Sequence, residues 1–354
     1  MNGFYNDYDH VVIETPEERQ TKIKKQRKLF SRVFLALVVY ICAMYCSHIG
    51  IYFVISKFLS PEEYYSFAGN TVWSVVLSCA SQYLVAFPVF LLMLIGIDKS
   101  SEKVQKKLSL SDFFILFLIG EALMYVGNLI GNLTNEIIGG FMGEIPENGI
   151  DIIVSKTPMW LIFILMVIIA PIVEELIFRK LMIDRLSIYG DRMAIIFSAV
   201  AFGLMHGNLY QFFYATLLGA LLGYVYTHTR NIKYSIYMHM IINFLGSVVA
   251  VPVQKCVLEL YEALEVLQLG LPVNLLPLIV NGIVTYVYTY IQYGMIVGGV
   301  IALIYYIRKK KINISPDKEI YLPDNAIAKG GFLNVGAILY LSLTLITIVL
   351  DLII

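Results

Sequence analysis

Apolar residues occur along this chain in long runs, and polar residues fall in short blocks between them. A helix rises 1.5 Å per residue, so about 20 apolar residues cross a bilayer. Runs of that kind lie near 33–56, 72–96, 113–131, 159–178, 209–227, 234–251, 281–307 and 332–353. A shorter run, 193–206, is divided from its successor only by Gly207 and Asn208. The pattern predicts an all-α chain, a polytopic transmembrane helix bundle of eight or nine spans. The first run follows a polar N-terminal stretch and is too long for the core of a signal peptide, so it reads as a retained span.

Composition agrees. Of 354 residues, 58% are hydrophobic and 15% charged, and the mean hydropathy is +0.75. Soluble domains carry about 25% charged residues. The net charge is zero, with 26 basic and 26 acidic residues, but the charges are segregated. With the N-terminus in the cytoplasm, nine spans place seven basic residues in the tail (Arg19 to Arg32). The next three inner segments hold Lys99, Lys103, Lys106 and Lys107, then Arg179, Lys180, Arg185 and Arg192, then Arg230 and Lys233. Six more lie in the last, from Arg308 to Lys329, so 23 of 26 fall inside. Cytoplasmic loops carry such an excess, and a wrong span count would scramble it. The outer loops lean acidic. The four cysteines lie mostly in apolar runs and suggest no disulfide framework.

The chain divides into a basic cytoplasmic tail (1–32), expected to be mobile near anionic head groups. Three N-terminal spans (33–150), a core of four spans (151–255) and a C-terminal part (256–354) follow. The last opens with Leu258, Tyr261, Leu264 and Leu267 at helical spacing. That stripe fits either an amphipathic helix on the outer surface or a connector packed on the spans.

Ionisable groups inside a bilayer are costly and mark candidate functional sites. Three clusters stand out. Pro171-Ile-Val-Glu174-Glu175-Leu-Ile-Phe-Arg179 ends the fourth span. Glu175 and Arg179 are at i,i+4, in the order that favours an ion pair. Glu174 points about 100° away from Glu175 and is left to face a cavity; Pro171 lacks the N–H that a continuous helix needs. The second cluster is Phe202-Gly-Leu-Met-His206, and the third is His239-Met-Ile-Ile-Asn243, which shares one helix face. Each alone has a plainer reading: a snorkelling charge group, a hydrogen-bonded structural histidine, an interhelical polar clamp. Together they hold the groups that amide hydrolysis needs. A carboxylate with an imidazole deprotonates water, and an imidazole and an amide donate to an oxyanion. Alternatively Glu174, His206 and His239 could ligate Zn²⁺ with a position open for water.

In the order EExxxR (Glu174, Glu175, Arg179), FxxxH (Phe202, His206) and HxxxN (His239, Asn243), residues 160–250 resemble a known family. It is the CAAX protease and bacteriocin-processing (CPBP, or Abi) family, which includes the type II CAAX prenyl endopeptidases. The resemblance implies an intramembrane endopeptidase in which Glu174 activates water with His206. His239 and Asn243 would support the oxyanion, with Glu175, Arg179 and Phe202 as structural support. It implies a multi-pass protein of the bacterial plasma membrane. The partners implied are membrane lipids and a peptide or lipidated protein substrate, with no nucleic acid. The other classes weighed are a transporter using the same residues as a relay and a non-catalytic immunity or scaffolding protein.

Two further expectations follow from spacing. Glu121, near Asn128 and Asn132 in the third span, either lines the same cavity or caps Arg179. Counted from the inner edge, His206 lies about 21 Å deep and His239 about 9 Å, a mismatch for residues sharing one site.

Overall fold

The computed structural model describes residues 15–101, 103–314 and 318–353. Residues 1–14 of the expected tail lie outside that range. Among the described residues every regular element is a helix. Eight are long and apolar enough to cross a membrane: α1 (Pro16–Ile55), α3 (Thr71–Met93), α4 (Leu110–Met142), α6 (Met159–Tyr189), α8 (Leu209–Thr229), α9 (Ile232–Gln268), α10 (Leu275–Arg308) and α12 (Val335–Ile353). Four shorter helices complete the order: α2 (Pro61–Ala68), α5 (Gly149–Lys156), α7 (Asp191–Met205) and α11 (Asp324–Phe332).

The short run near 193–206 is therefore a helix, but at 15 residues α7 rises only about 22 Å. It sits inside the bundle instead of facing lipid along its length. Met193, Ala194, Phe197, Ala199, Ala201 and Phe202 are all buried, and Phe30 of α1 meets Phe197 edge-on at 5.0 Å.

Two expectations about segments change. The tail is helical from Pro16 and continuous with the first span. Thr15 and Glu18 form a reciprocal cap, and Pro16 fits the first turn because its missing N–H would be unpaired there anyway. Gln26 is buried and donates to the Ile327 carbonyl at 3.1 Å. Nor does a separate helix form at 257–268, because α9 runs unbroken to Gln268. Its stripe of Leu258, Tyr261, Leu264 and Leu267 is exposed, while another face packs on α10, where Asn281 donates to Glu259 at 2.9 Å. The expected boundaries at 32, 150 and 255 each fall within a helix.

The five basic segments meet at one end of the bundle. Arg32 donates to the carbonyls of Ile95 and Gly96, and Arg185 to that of Leu94. Asp191 pairs with Lys103 at 3.2 Å and with Arg230. Glu319 accepts from Ser101, and its own N–H donates to the Ile188 carbonyl. The alternation that the charge pattern predicted is kept because α7 and α8 run antiparallel and bring Asp191 and Arg230 together.

Close approach of α4 and α8 brings the polar residues of α8 beneath the third span. A Cβ at Gly127 would stand 2.6 Å from the backbone nitrogen of Tyr214, and one at Gly131 2.9 Å from the Tyr210 carbonyl oxygen. Small residues four apart open the groove that such a contact requires.

Candidate active site

The three polar clusters converge. Glu174, His206, His239, Asn243 and Phe202 all line one cavity of about 390 Å³. The cavity is mostly apolar, with a few converging polar groups, the usual make-up of a ligand site.

The two adjacent carboxylates have separate environments. Glu175 is fully buried, and its Oε1 lies 3.1 Å from Arg179 Nη2 and 3.1 Å from His239 Nδ1. The i,i+4 pair predicted from spacing is present, with an imidazole added to it. Arg179 is likewise fully buried, and its guanidinium lies 4.7 Å from the centre of the Phe202 ring. Glu174, one residue back and a quarter-turn round, keeps 21% of its side chain exposed to the cavity. Its Oε2 stands 3.7 Å from His239 Nε2, too far for a direct hydrogen bond.

Hydrogen bonding orients both imidazoles. Carbonyl and carboxylate oxygens accept only, so each partner fixes a proton on Nδ1. His239 Nδ1 donates to Glu175. His206 Nδ1 donates to the Phe202 carbonyl one turn back, at 2.9 Å. Each ring is left with Nε2 as its second nitrogen. The expected depth mismatch does not keep the two imidazoles apart. The Phe202 ring meets His206 at 4.9 Å and His239 at 5.8 Å, both near-perpendicular.

Asn243 is held by a local departure from the α-helix. In α6 residues 163–169 form π-helical turns, and the Ala170 N–H bonds the carbonyl five residues back, Leu165. The next bond in that register would run from residue 171 to Met166. Residue 171 is proline and has no N–H. The orphaned Met166 carbonyl instead accepts from Asn243 Nδ2 at 2.9 Å. The clamp reading thus holds for half of the Asn243 amide, while the residue still borders the cavity.

Glu121 neither caps Arg179 nor lines this cavity; it borders an adjacent one. Asn128 lines that neighbour as well, and Asn132 does not. Among the described residues no group of three His, Cys, Asp or Glu side chains lies close enough to hold a metal ion. Sequence reasoning missed Tyr40, Gln82, Tyr83, Gln211 and Tyr214, which also face the cavity. Their signal was present as single polar or aromatic hydroxyl residues inside apolar runs, without a motif to connect them.

Buried acid–base groups gathered in a cavity among membrane helices fit a class, the intramembrane hydrolases. Comparison with known proteins supplies the family. Residues 156–245 match the model of the type II CAAX prenyl endopeptidase Rce1-like family. YdiL of Bacillus subtilis, to which a membrane peptidase activity is ascribed, is 25% identical over 174 residues, covering 49% of this chain and 68% of YdiL. The UPF0177 protein YbdI of Lactococcus lactis is 30% identical over 134 residues, 35% of this chain and 70% of YbdI. No solved structure gives a significant match. The chain belongs to the Rce1-like family of CAAX-type membrane peptidases.

Proposed function

We propose that this chain hydrolyses a peptide bond in a membrane-associated peptide or lipidated protein, with the site open toward the cytoplasm and the N-terminus on the same side. Water lies between Glu174 and the imidazoles. Glu174 takes its proton as the oxygen attacks the scissile carbonyl, and His206 Nε2, the bare nitrogen of its ring, relays that proton toward the leaving amine. The oxyanion is met by the second N–H of Asn243 and by His239. His239 can donate there only as imidazolium, because Nδ1 is committed to Glu175.

The observation that carries the reading is the division of labour between neighbours. Glu175 is sealed into an ion pair while Glu174 faces the cavity, 3.7 Å from an imidazole that Glu175 orients. A permease relay has no need of one carboxylate to fix the tautomer of a histidine beside a second, open carboxylate. The test uses the purified full chain in liposomes with fluorogenic peptides, farnesylated and plain, and follows cleavage by mass spectrometry. Cleavage at a defined bond that survives 1,10-phenanthroline is the expected result. Loss of cleavage with chelator, restored by Zn²⁺, would transfer the mechanism to a metal held by Glu174, His206 and His239. Ion flux without cleavage would remove the peptidase mechanism.

A further inference from the structure

Beside the catalytic cavity lies a second one, of about 480 Å³. The two share Met124, Ile150, Gln211, Tyr214, Ile242 and Gly246 in their walls, so a chain lying in one can extend a side chain into the other. One wall of the second cavity is a stripe of α4 at helical spacing, Glu121, Met124, Tyr125 and Asn128. Facing it is α10, with Tyr288, Thr289, Gln292 and Tyr293. Asp151, exposed in the first turn of α5, borders the cavity as well.

Its charge is one-sided. Two carboxylates line the cavity and no lysine or arginine does. Glu121 is only 8% exposed, and among the described residues it has no hydrogen-bond or ion-pair partner. A carboxylate taken out of water without a partner is costly. Gln211 is occupied elsewhere, accepting from Asn208 and donating to Tyr214, and Gln292 donates to Tyr288. What the site lacks is a cation. Tyrosine faces around it favour one further.

We propose that the cavity of Glu121 and Asp151 is a subsite for a positively charged side chain, lysine or arginine, of the peptide cleaved next door. The inference rests on the peptidase reading for the identity of its ligand. In this arrangement the ammonium or guanidinium group reaches Glu121, its methylene stem packs on Ile242 and Met124, and Asp151 adds a second negative charge to the cavity. The subsite selects which residue lies a fixed distance from the scissile bond.

Binding is the readout, so that turnover is not required. Full-length protein carrying Glu174→Ala is titrated with fluorescein-labelled peptides that contain an apolar anchor. In each peptide a single lysine, or a glutamine at the same place, is walked through the positions flanking the anchor. At one position the lysine peptide is expected to bind about tenfold more tightly than its glutamine counterpart. Adding Glu121→Gln should bring that ratio to about one, and adding Asp151→Asn should reduce it. Equal affinity for lysine and glutamine at every position would overturn the proposal, as would a ratio that survives Glu121→Gln. Wild-type protein that shows the preference yet cleaves none of the peptides would contradict the peptidase mechanism and leave the subsite standing. Cleavage without the preference would do the reverse.

Discussion

Glu174 and Glu175 are one residue apart and chemically far apart, because a helix turns about 100° between them. The spacing of Glu175 and Arg179 was enough to foresee the pair. The histidine joined to it was not foreseen, since nothing in a spacing reveals which helix lies opposite. Breaking a buried ion pair by removing one partner leaves the other charge uncompensated and costs about 3–5 kcal/mol. Glu175→Leu should therefore lower the thermal midpoint and the yield of folded protein in detergent. Glu174→Leu, at a position already open to the cavity, should leave both near wild type. A thermal-shift assay on the two variants checks this; equal losses would mean that the carboxylates are not divided as described. Phe202→Ala removes the ring that touches Arg179 and both imidazoles. It should cost about 3–5 kcal/mol of stability for a large buried aromatic and loosen both histidines.

At the scale of elements, the π-helical turns of α6 explain a residue that sequence reasoning could only half interpret. Asn243 read either as an oxyanion donor or as a clamp. The clamp is visible and has a cause, the missing N–H of Pro171 one π-register step from Met166. That cause can be manipulated. Asn243→Ala should lower both stability and cleavage. Pro171→Ala returns an N–H to α6, so in the double variant stability should recover, while cleavage stays low if Asn243 also faces the oxyanion. Recovery of both would reduce Asn243 to a clamp. The contact of α4 with α8 gives a second check. At Gly127 a Cβ already collides with the backbone of Tyr214, so Gly127→Val should separate the helices and abolish folded protein. The same change at Gly140, where nothing lies within 4 Å, should be neutral. Expression and monodispersity by size-exclusion chromatography report both. Length and hydropathy made the long helices legible, whereas the continuity of α9 and the helical start of α1 were not. Both depend on caps and packing that act beyond the reach of an apolar run.

For the whole molecule, charge segregation carried most of the topology. Five basic segments, each separated from the next by a hairpin of helices, were placed together by the alternation of crossings, and contacts such as Lys103 with Asp191 and Ser101 with Glu319 realise it. Which side of the membrane that end faces is a separate matter, set by the positive-inside bias. In a cysteine-free background, Ser101→Cys should react with an impermeant maleimide only after cells are permeabilised, and Ser60→Cys in intact cells. The opposite labelling would invert the orientation. The convergence of the site was legible as an ordered set of motifs, but the depth of His206 was not. Counting from the nearest basic residue assumes that Arg192 and Lys233 lie at one level, and the contact of Phe202 with both imidazoles shows that this count misplaces them.

The central claim is that Glu174 itself activates the attacking water. Single-turnover cleavage by wild type and by Glu174→Gln, matched for thermal midpoint and reconstituted in the same liposomes, tests it most directly. Glutamine keeps the shape and cannot take the proton, so the rate should fall by about 10²- to 10⁴-fold. A rate within a few-fold of wild type, with the fold intact, would show that another group does this work.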